Sequence, residues 1–111
     1  MNKVLLARKV LRTIKPIPED EFIEGRFTDC KGRCCVIGHL MRLGSKYPND
    51  YTDKNCSDYY TIPHHPARGL ILGGKSIVSI NNHKTDDYPY DSVKKRVTTF
   101  LKDYIKTRGR E

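Results

Sequence analysis

The sequence predicts a single α+β domain in which a short antiparallel sheet packs against a central helix and two basic terminal helices. The chain has 111 residues, the length of one compact domain, so residues 1–111 are assigned to a single unit. Apolar residues recur at helical spacing near both ends. A β-branched run with alternating polarity lies in the second half and predicts a strand.

The first predicted helix covers residues 3–15. Its apolar side chains recur every three or four residues, at Val4, Ala7, Leu11 and Ile14. Lysine and arginine occupy most other positions. Two prolines end the helix, because proline disfavours helical geometry in the residue before it. Pro18 and the three acids after it predict a short second helix, whose N-terminus the acids complement.

The last predicted helix runs from about Asp91, a suitable N-cap residue, to Thr107. Its apolar stripe begins at Val93 and continues with the 3.6-residue period to Ile105. This stripe should be buried, with the lysines and arginines between its members left exposed.

The central helix is predicted from Cys34 to Leu43. Three strands are predicted at residues 26–29, 70–72 and 76–81, the last two joined by a turn at Gly73 and Gly74. Residues 45–69 show no sustained periodicity. We expect a long irregular loop there, which is unusual inside a small domain and typical of functional segments.

The net charge of +8 belongs to the two ends of the chain. Residues 1–15 carry five basic side chains and no acid, and residues 94–111 carry seven against two acids, so the remainder sums to −2. Such a distribution predicts an anionic partner: nucleic acid, a nucleotide or an acidic protein surface. Two solvated helix faces that keep the protein soluble are an equally good interpretation. The residues expected to bind the anion are Arg8, Lys9, Arg12, Lys94, Lys95, Arg96 and Lys102.

Cys35 is the candidate nucleophile. A cysteine in the first turn of a helix lies at the positive end of the dipole, which lowers the thiol pKa. Gly38 and His39 follow it at three and four residues, on the same side of the helix. His39, His65 or His83 would be the base and Asn82 would orient it. The alternative is a buried cysteine that packs as a small apolar side chain.

A metal site is not expected. The chain has four cysteines and four histidines, but the Cys30–Cys34 pair has loose spacing for zinc and no second close pair follows. A disulfide from Cys30 or Cys34 to Cys56 stays open. No cofactor is assigned.

The order of motifs resembles a small family of unknown function found in bacteriophage and bacterial genomes. That family has a Cys-x-x-Gly-Ala-Leu helix and a hydrophobic strand ending in Asn-Asp. Cys35-Val36-Ile37-Gly38-His39-Leu40 resembles the first motif, and Ile77 to Asn82 resembles the second. Two positions depart from the pattern, because His39 replaces a small residue and Asn82 replaces the aspartate. If that aspartate does acid–base chemistry, this chain lacks it; if the residue only holds the strand end, Asn82 will serve.

Three functions are therefore expected, in order. The first is a phage-type basic protein that binds an anionic partner in the cytoplasm of a bacterial host and acts on host machinery. The second is a cysteine-dependent hydrolase or transferase. The third is a structural or assembly protein of a virion, with the terminal helices as an oligomer interface. No apolar run is long enough to span a membrane, so no membrane association is expected.

Overall fold

The computed structural model describes residues 2–25, 33–43 and 66–109, and it confirms a single small α+β domain. The α-helices of the described residues are α1 (Lys3–Ile14), α2 (Val36–Leu43), α3 (Ile77–Asn82) and α4 (Val93–Arg108). Two 3₁₀ turns add to them, Glu19–Glu21 and Pro66–Gly69. The strand predicted at 26–29 and most of the loop predicted at 45–69 lie outside the described residues.

The sheet of the described residues is one small hairpin. Strand β1 (Ile71–Leu72) pairs antiparallel with β2 (Lys75–Ser76), with Ile71 opposite Ser76. Gly73 and Gly74 form the turn with φ of 60° and 78°, a conformation that other residues adopt at a cost. The predicted turn is therefore confirmed, but the hairpin is too short to be the packing layer that the sequence predicts.

The strand predicted at 76–81 is wrong, because the chain forms helix α3 there. Ser76 is the N-cap, and its hydroxyl accepts the N–H of Ser79. The buried positions are Ile77, Ile80 and Asn81, at helical spacing. The β-branched residues favoured a strand, but burial against α4 and the serine cap favour the helix.

The core lies where α4 packs against both α1 and α3, while α2 packs on α1 and α3. Helices α1 and α4 run antiparallel: Lys94 at the start of α4 donates to the carbonyl of Lys15, 2.6 Å away, and the other end of α4 lies near Lys3. The terminal helices therefore bury their stripes mainly against each other and α3. The buried apolar side chains of the four α-helices include Val10, Ile14, Ile37, Ile80, Val97, Phe100 and Leu101.

The N-terminal ends of the terminal helices are capped by side chains. Asn2 Oδ1 accepts the N–H of Val4 at 2.8 Å, and the hydroxyl of Ser92 accepts the N–H of Lys95 at 3.1 Å. Ser92, not the predicted Asp91, is thus the N-cap of α4. Within the described ranges, no helix is both long and apolar enough to cross a membrane.

Candidate functional site

Cys35 occupies the N-cap position of α2, one residue before the helix begins. Its Sγ accepts the backbone N–H of Gly38 at 3.5 Å, as a serine or aspartate oxygen does at an ordinary N-cap. The residue is 1% exposed. The thiol therefore caps the N-terminus of α2 and is not accessible to solvent.

The expected lowering of the Cys35 pKa is wrong. Burial raises the pKa of the Cys35 thiol to about 11, and this effect outweighs the opposing hydrogen bonds from the N–H groups of Gly38 and Ile37. A group with this pKa is protonated at neutral pH. Cys35 therefore lacks the thiolate that a nucleophile needs.

His39 lies one turn along α2 and is also buried, with 4% of its surface exposed. Its Nε2 lies 2.8 Å from the carbonyl oxygen of Glu21, and because a carbonyl only accepts, Nε2 carries the hydrogen. The ring packs on Phe22 with centroids 4.5 Å apart. This nitrogen thus anchors α2 to the segment before it and cannot accept the proton of Cys35.

That segment is joined to the start of α2 by a parallel β-bridge between Phe22 and Cys34. The N–H of Ile23 donates to the carbonyl oxygen of Cys34 at 3.1 Å. The N–H of Cys34 donates to the carbonyl oxygen of Glu21 at 3.0 Å. The bridge brings the end of the Glu19–Glu21 turn beside the N-terminus of α2.

Asn81, fully buried at the end of α3, joins three parts of the chain. Its Oδ1 accepts the N–H of Val36 at 2.9 Å, in the first turn of α2. Its Nδ2 donates to the carbonyl of Ile23 and to Oδ1 of Asn82, both at 3.0 Å. Both the oxygen and the nitrogen of the carboxamide make hydrogen bonds, so this position requires a side chain with an acceptor and a donor.

Asn82 acts only as an acceptor in the bonds that its side chain makes with the described residues. Its Oδ1 receives hydrogen bonds from Asn81 and from the N–H of Gly25, the latter at 2.8 Å. Gly25 has φ of 74°, and the bond holds it in this left-handed turn. Asn82 therefore supports the backbone, and it orients no histidine among the residues that the structure describes. A carboxylate would accept the same two bonds.

Arg96, on α4, lies beside the end of α3 and is 1% exposed. Its Nε donates to the carbonyl of Ile80 at 2.9 Å and its Nη2 to that of Asn81 at 2.7 Å, so it caps the C-terminus of α3. Its Nη1 donates to the carbonyl of Tyr90 at 2.9 Å, just before α4. Nη2 also pairs with the half-exposed carboxylate of Glu24 at 2.5 Å.

The assignment of Arg96 to the anion-binding set is wrong, because its guanidinium is enclosed and committed to these partners. The position was recognisable in the sequence. Arg96 stands three residues after Val93 and four before Phe100, within the apolar stripe of α4. The charge of Arg96 predicts an exposed side chain, whereas its helical position predicts a buried one.

The structure joins two of the predicted site residues, Asn82 and Arg96, through Asn81, whereas the thiol of Cys35 binds Gly38. We define Glu24, Asn81, Asn82 and Arg96 as the polar centre. His39 lies beside it, bonded to Glu21. His83, the C-cap of α3, is exposed at the end of that helix. His65, Cys30 and Cys56 lie outside the described residues. The polar centre is a set of mutual hydrogen bonds between helix ends, and its geometry does not support nucleophilic catalysis.

The other cations predicted to bind an anion have the expected exposure, with one exception. Arg8, Lys9 and Arg12 are exposed on α1, as are Lys95 and Lys102 on α4. Lys94 is half-buried, with its ammonium on the carbonyl of Lys15. The ammonium of Lys95 lies 4.6 Å from the ring centre of Tyr90. We call Arg8, Lys9 and Arg12 the α1 basic face.

The described residues contain no group of three or more His, Cys, Asp or Glu side chains arranged to hold a metal ion. No protein-family model, curated protein or solved structure matches the chain. The resemblance to the bacteriophage family stays a prediction.

Replacing Arg96 with methionine should lower the free energy of unfolding by about 3–5 kcal/mol, because the buried carbonyls and Glu24 lose their donor. Chemical denaturation measures this change. Lys102→Met removes an exposed cation from the same helix and should change stability by about 0.5 kcal/mol or less. Equal losses for the two variants would contradict the buried role of Arg96.

The two asparagines should respond differently to aspartate. Asn81→Asp removes the amide donor that faces the Ile23 carbonyl and Asn82, so we expect a loss of about 2–3 kcal/mol at neutral pH. Asn82→Asp keeps the acceptor oxygen and should cost less than about 1 kcal/mol. Thermal or denaturant unfolding of both variants compares them, and the reverse order would refute the hydrogen-bond assignment.

Cys35 should react with iodoacetamide more slowly than a free thiol at pH 7.5, because its thiol is buried and protonated. Peptide mapping by mass spectrometry follows each of the four cysteines separately in one experiment. The rate for Cys35 should rise to that of a free thiol once the protein is denatured. Faster reaction in the folded protein would restore the enzyme hypothesis.

Proposed function

We propose that this protein is a non-enzymatic nucleic-acid-binding protein that uses the exposed cations of α1 and α4. The observation that carries the proposal is the α1 basic face, on which Arg8, Lys9 and Arg12 are exposed on a helix that contains no acid. Like charges on one helix face repel each other, and a polyanion relieves that repulsion. The phosphate backbone of nucleic acid is such a polyanion, and lysine and arginine bind it by neutralising its charges.

Helix α4 adds to this charge in the same way. Lys95, Lys102 and Lys106 are exposed, and the single acid of the helix, Asp103, accepts a hydrogen bond from the hydroxyl of Tyr88 at 2.9 Å. These lysines lie seven and four residues apart, that is two turns and one turn, so they share one side of the helix. Such a row of cations can contact consecutive phosphates without reading bases.

Nucleic acid is favoured over an acidic protein because the cations are long, solvated and arranged in rows along helices. A protein interface of comparable size has a more apolar centre with fewer charges. Leu5, 59% exposed and three residues before Arg8, is the one large apolar side chain exposed on the described part of α1. We also propose a bacteriophage origin and a cytoplasmic site in the host, on the motifs of Cys35–Leu40 and Ile77–Asn82. A virion assembly role remains the alternative.

Neutralising Arg8 and Arg12 together, as R8Q/R12Q, should weaken binding to a duplex or single strand equally for all base sequences. The slope of log affinity against log salt concentration should fall in magnitude by about 2, one for each lost phosphate contact. Fluorescence anisotropy over a salt series measures both quantities.

The matched control is K75Q/K84Q, which removes two cations outside α1 and α4. Its binding and salt slope should stay near those of the parent protein. Equal loss in both variants would show that only net charge matters, and no binding to any nucleic acid at low salt would refute the proposal. Solution mass without nucleic acid tests the assembly alternative, which requires a defined oligomer.

A further inference from the structure

Tyr90 lies in the segment that leads into α4. Among the phenylalanines and tyrosines that the structure describes, it is the one that is not buried, because Phe22, Tyr88, Phe100 and Tyr104 are enclosed in the core. Tyr90 itself is partly buried and packs against that core. A tyrosine in this position keeps part of a large, flat, apolar ring at the surface.

A cation marks the open face of the Tyr90 ring. The ammonium of Lys95, an exposed side chain, lies over this face, 4.6 Å from the ring centre. A lysine keeps its ammonium in water, so the ring face below it borders solvent. A flat ligand can take this place on the ring while the ammonium turns to an anionic group beside it.

The position of Tyr90 is fixed by the fold. Its carbonyl oxygen accepts Nη1 of the buried Arg96 at 2.9 Å. The ring therefore projects from a constrained point at the start of α4, beside the first of the three lysines Lys95, Lys102 and Lys106. Because these lysines share one side of the helix, phosphates bound along them begin next to the ring.

The acids near Tyr90 indicate the direction in which a bound strand runs. Asp91, the next residue, is paired with Lys84 at 2.6 Å, so its charge is balanced. Asp86 and Asp87 are exposed in the segment before Tyr90, and they repel phosphates there. A polyanion that contacts the ring should therefore extend along α4.

We propose that the protein binds single-stranded nucleic acid, with one unpaired base stacked on Tyr90 and the adjoining phosphates on Lys95 and the lysines after it. The inference rests on the proposed function and names the form of nucleic acid that the helices bind. The bases of a duplex stack on one another, whereas a single strand leaves their faces open to a side chain. Every base has such a face, so the stacking does not select a sequence.

The experiment compares three labelled ligands by fluorescence anisotropy at low salt: oligothymidylate, an abasic strand of equal length, and a duplex. The abasic strand keeps the phosphates and lacks the bases, so it separates stacking from charge. The parent protein should bind oligothymidylate about tenfold more tightly than the abasic strand. Tyr90→Ala should remove this difference and leave the affinities for the abasic strand and the duplex within about twofold.

Two further variants are matched controls. Tyr90→Phe keeps the ring and should bind all the ligands as the parent protein does. Lys95→Gln keeps the ring and removes one cation, so it should weaken the binding of both single strands alike. Its salt slope should fall in magnitude by about 0.7, the contribution of one phosphate of a single strand.

Tyr90→Trp gives a second measurement that does not depend on the stability of Tyr90→Ala. The natural chain contains no tryptophan, so the indole is the only one in the variant. Oligothymidylate should quench its fluorescence, because a base stacks on the indole. The abasic strand and the duplex should not. Circular dichroism shows that each variant is folded before binding is compared.

The possible failures are distinguishable. Equal affinity of the parent protein for oligothymidylate and the abasic strand would overturn the stacking and leave phosphate binding by the helices intact. A preference that persists in Tyr90→Ala, without quenching in Tyr90→Trp, would place the stacking elsewhere and also overturn this inference. If none of the ligands binds at low salt, the proposed function fails and this inference fails with it.

Discussion

The buried guanidinium of Arg96 is the constraint on which the rest of the structure depends. It is a cation from the longest described helix, and it is held away from water by hydrogen bonds to Ile80, Asn81, Tyr90 and Glu24. Burying a charge is costly unless the charge is paired and its hydrogens are all directed at acceptors. Each partner is thereby confined to one position, which sets how α3 ends and how α4 begins.

Asn81 extends this constraint to the other half of the chain. Arg96 binds its carbonyl oxygen, while its carboxamide binds the N-terminus of α2 and the segment around Ile23. Two side chains thus join residues that are 45, 58 and 72 positions apart in sequence. The Cys35 motif and the Asn81–Asn82 motif are spatial neighbours because they share these bonds, and a chemical reaction is not needed to explain either.

The sequence could predict α1, α2 and α4, because each has an apolar face long enough to display the helical period. It could also predict the turn at Gly73. Helix α3 could not be predicted, because a segment of six residues, three of them β-branched, satisfies the strand and helix periods equally well. The packing on α4 decides between the two. The role of Cys35 could not be predicted for a related reason, whereas the helical position of Arg96 within the apolar stripe of α4 did indicate burial. Residue type suggested reactivity and surface charge, whereas burial, which depends on distant segments, made one a protonated cap and the other a structural cation.

Some hydrogen bonds of Arg96 join residues that are close in sequence and one joins distant residues. This difference has a consequence for the order of folding. Its contacts with Ile80, Asn81 and Tyr90 span at most 16 residues, so they close with little loss of chain entropy. The contact with Glu24 and the bond from Val36 to Asn81 need the N-terminal half of the chain to arrive from far away. The region from α3 to α4 is thus suited to form a local hairpin of helices first. The N-terminal half would then dock onto a surface whose acceptors and donors are already in place, and it would bury Cys35 last.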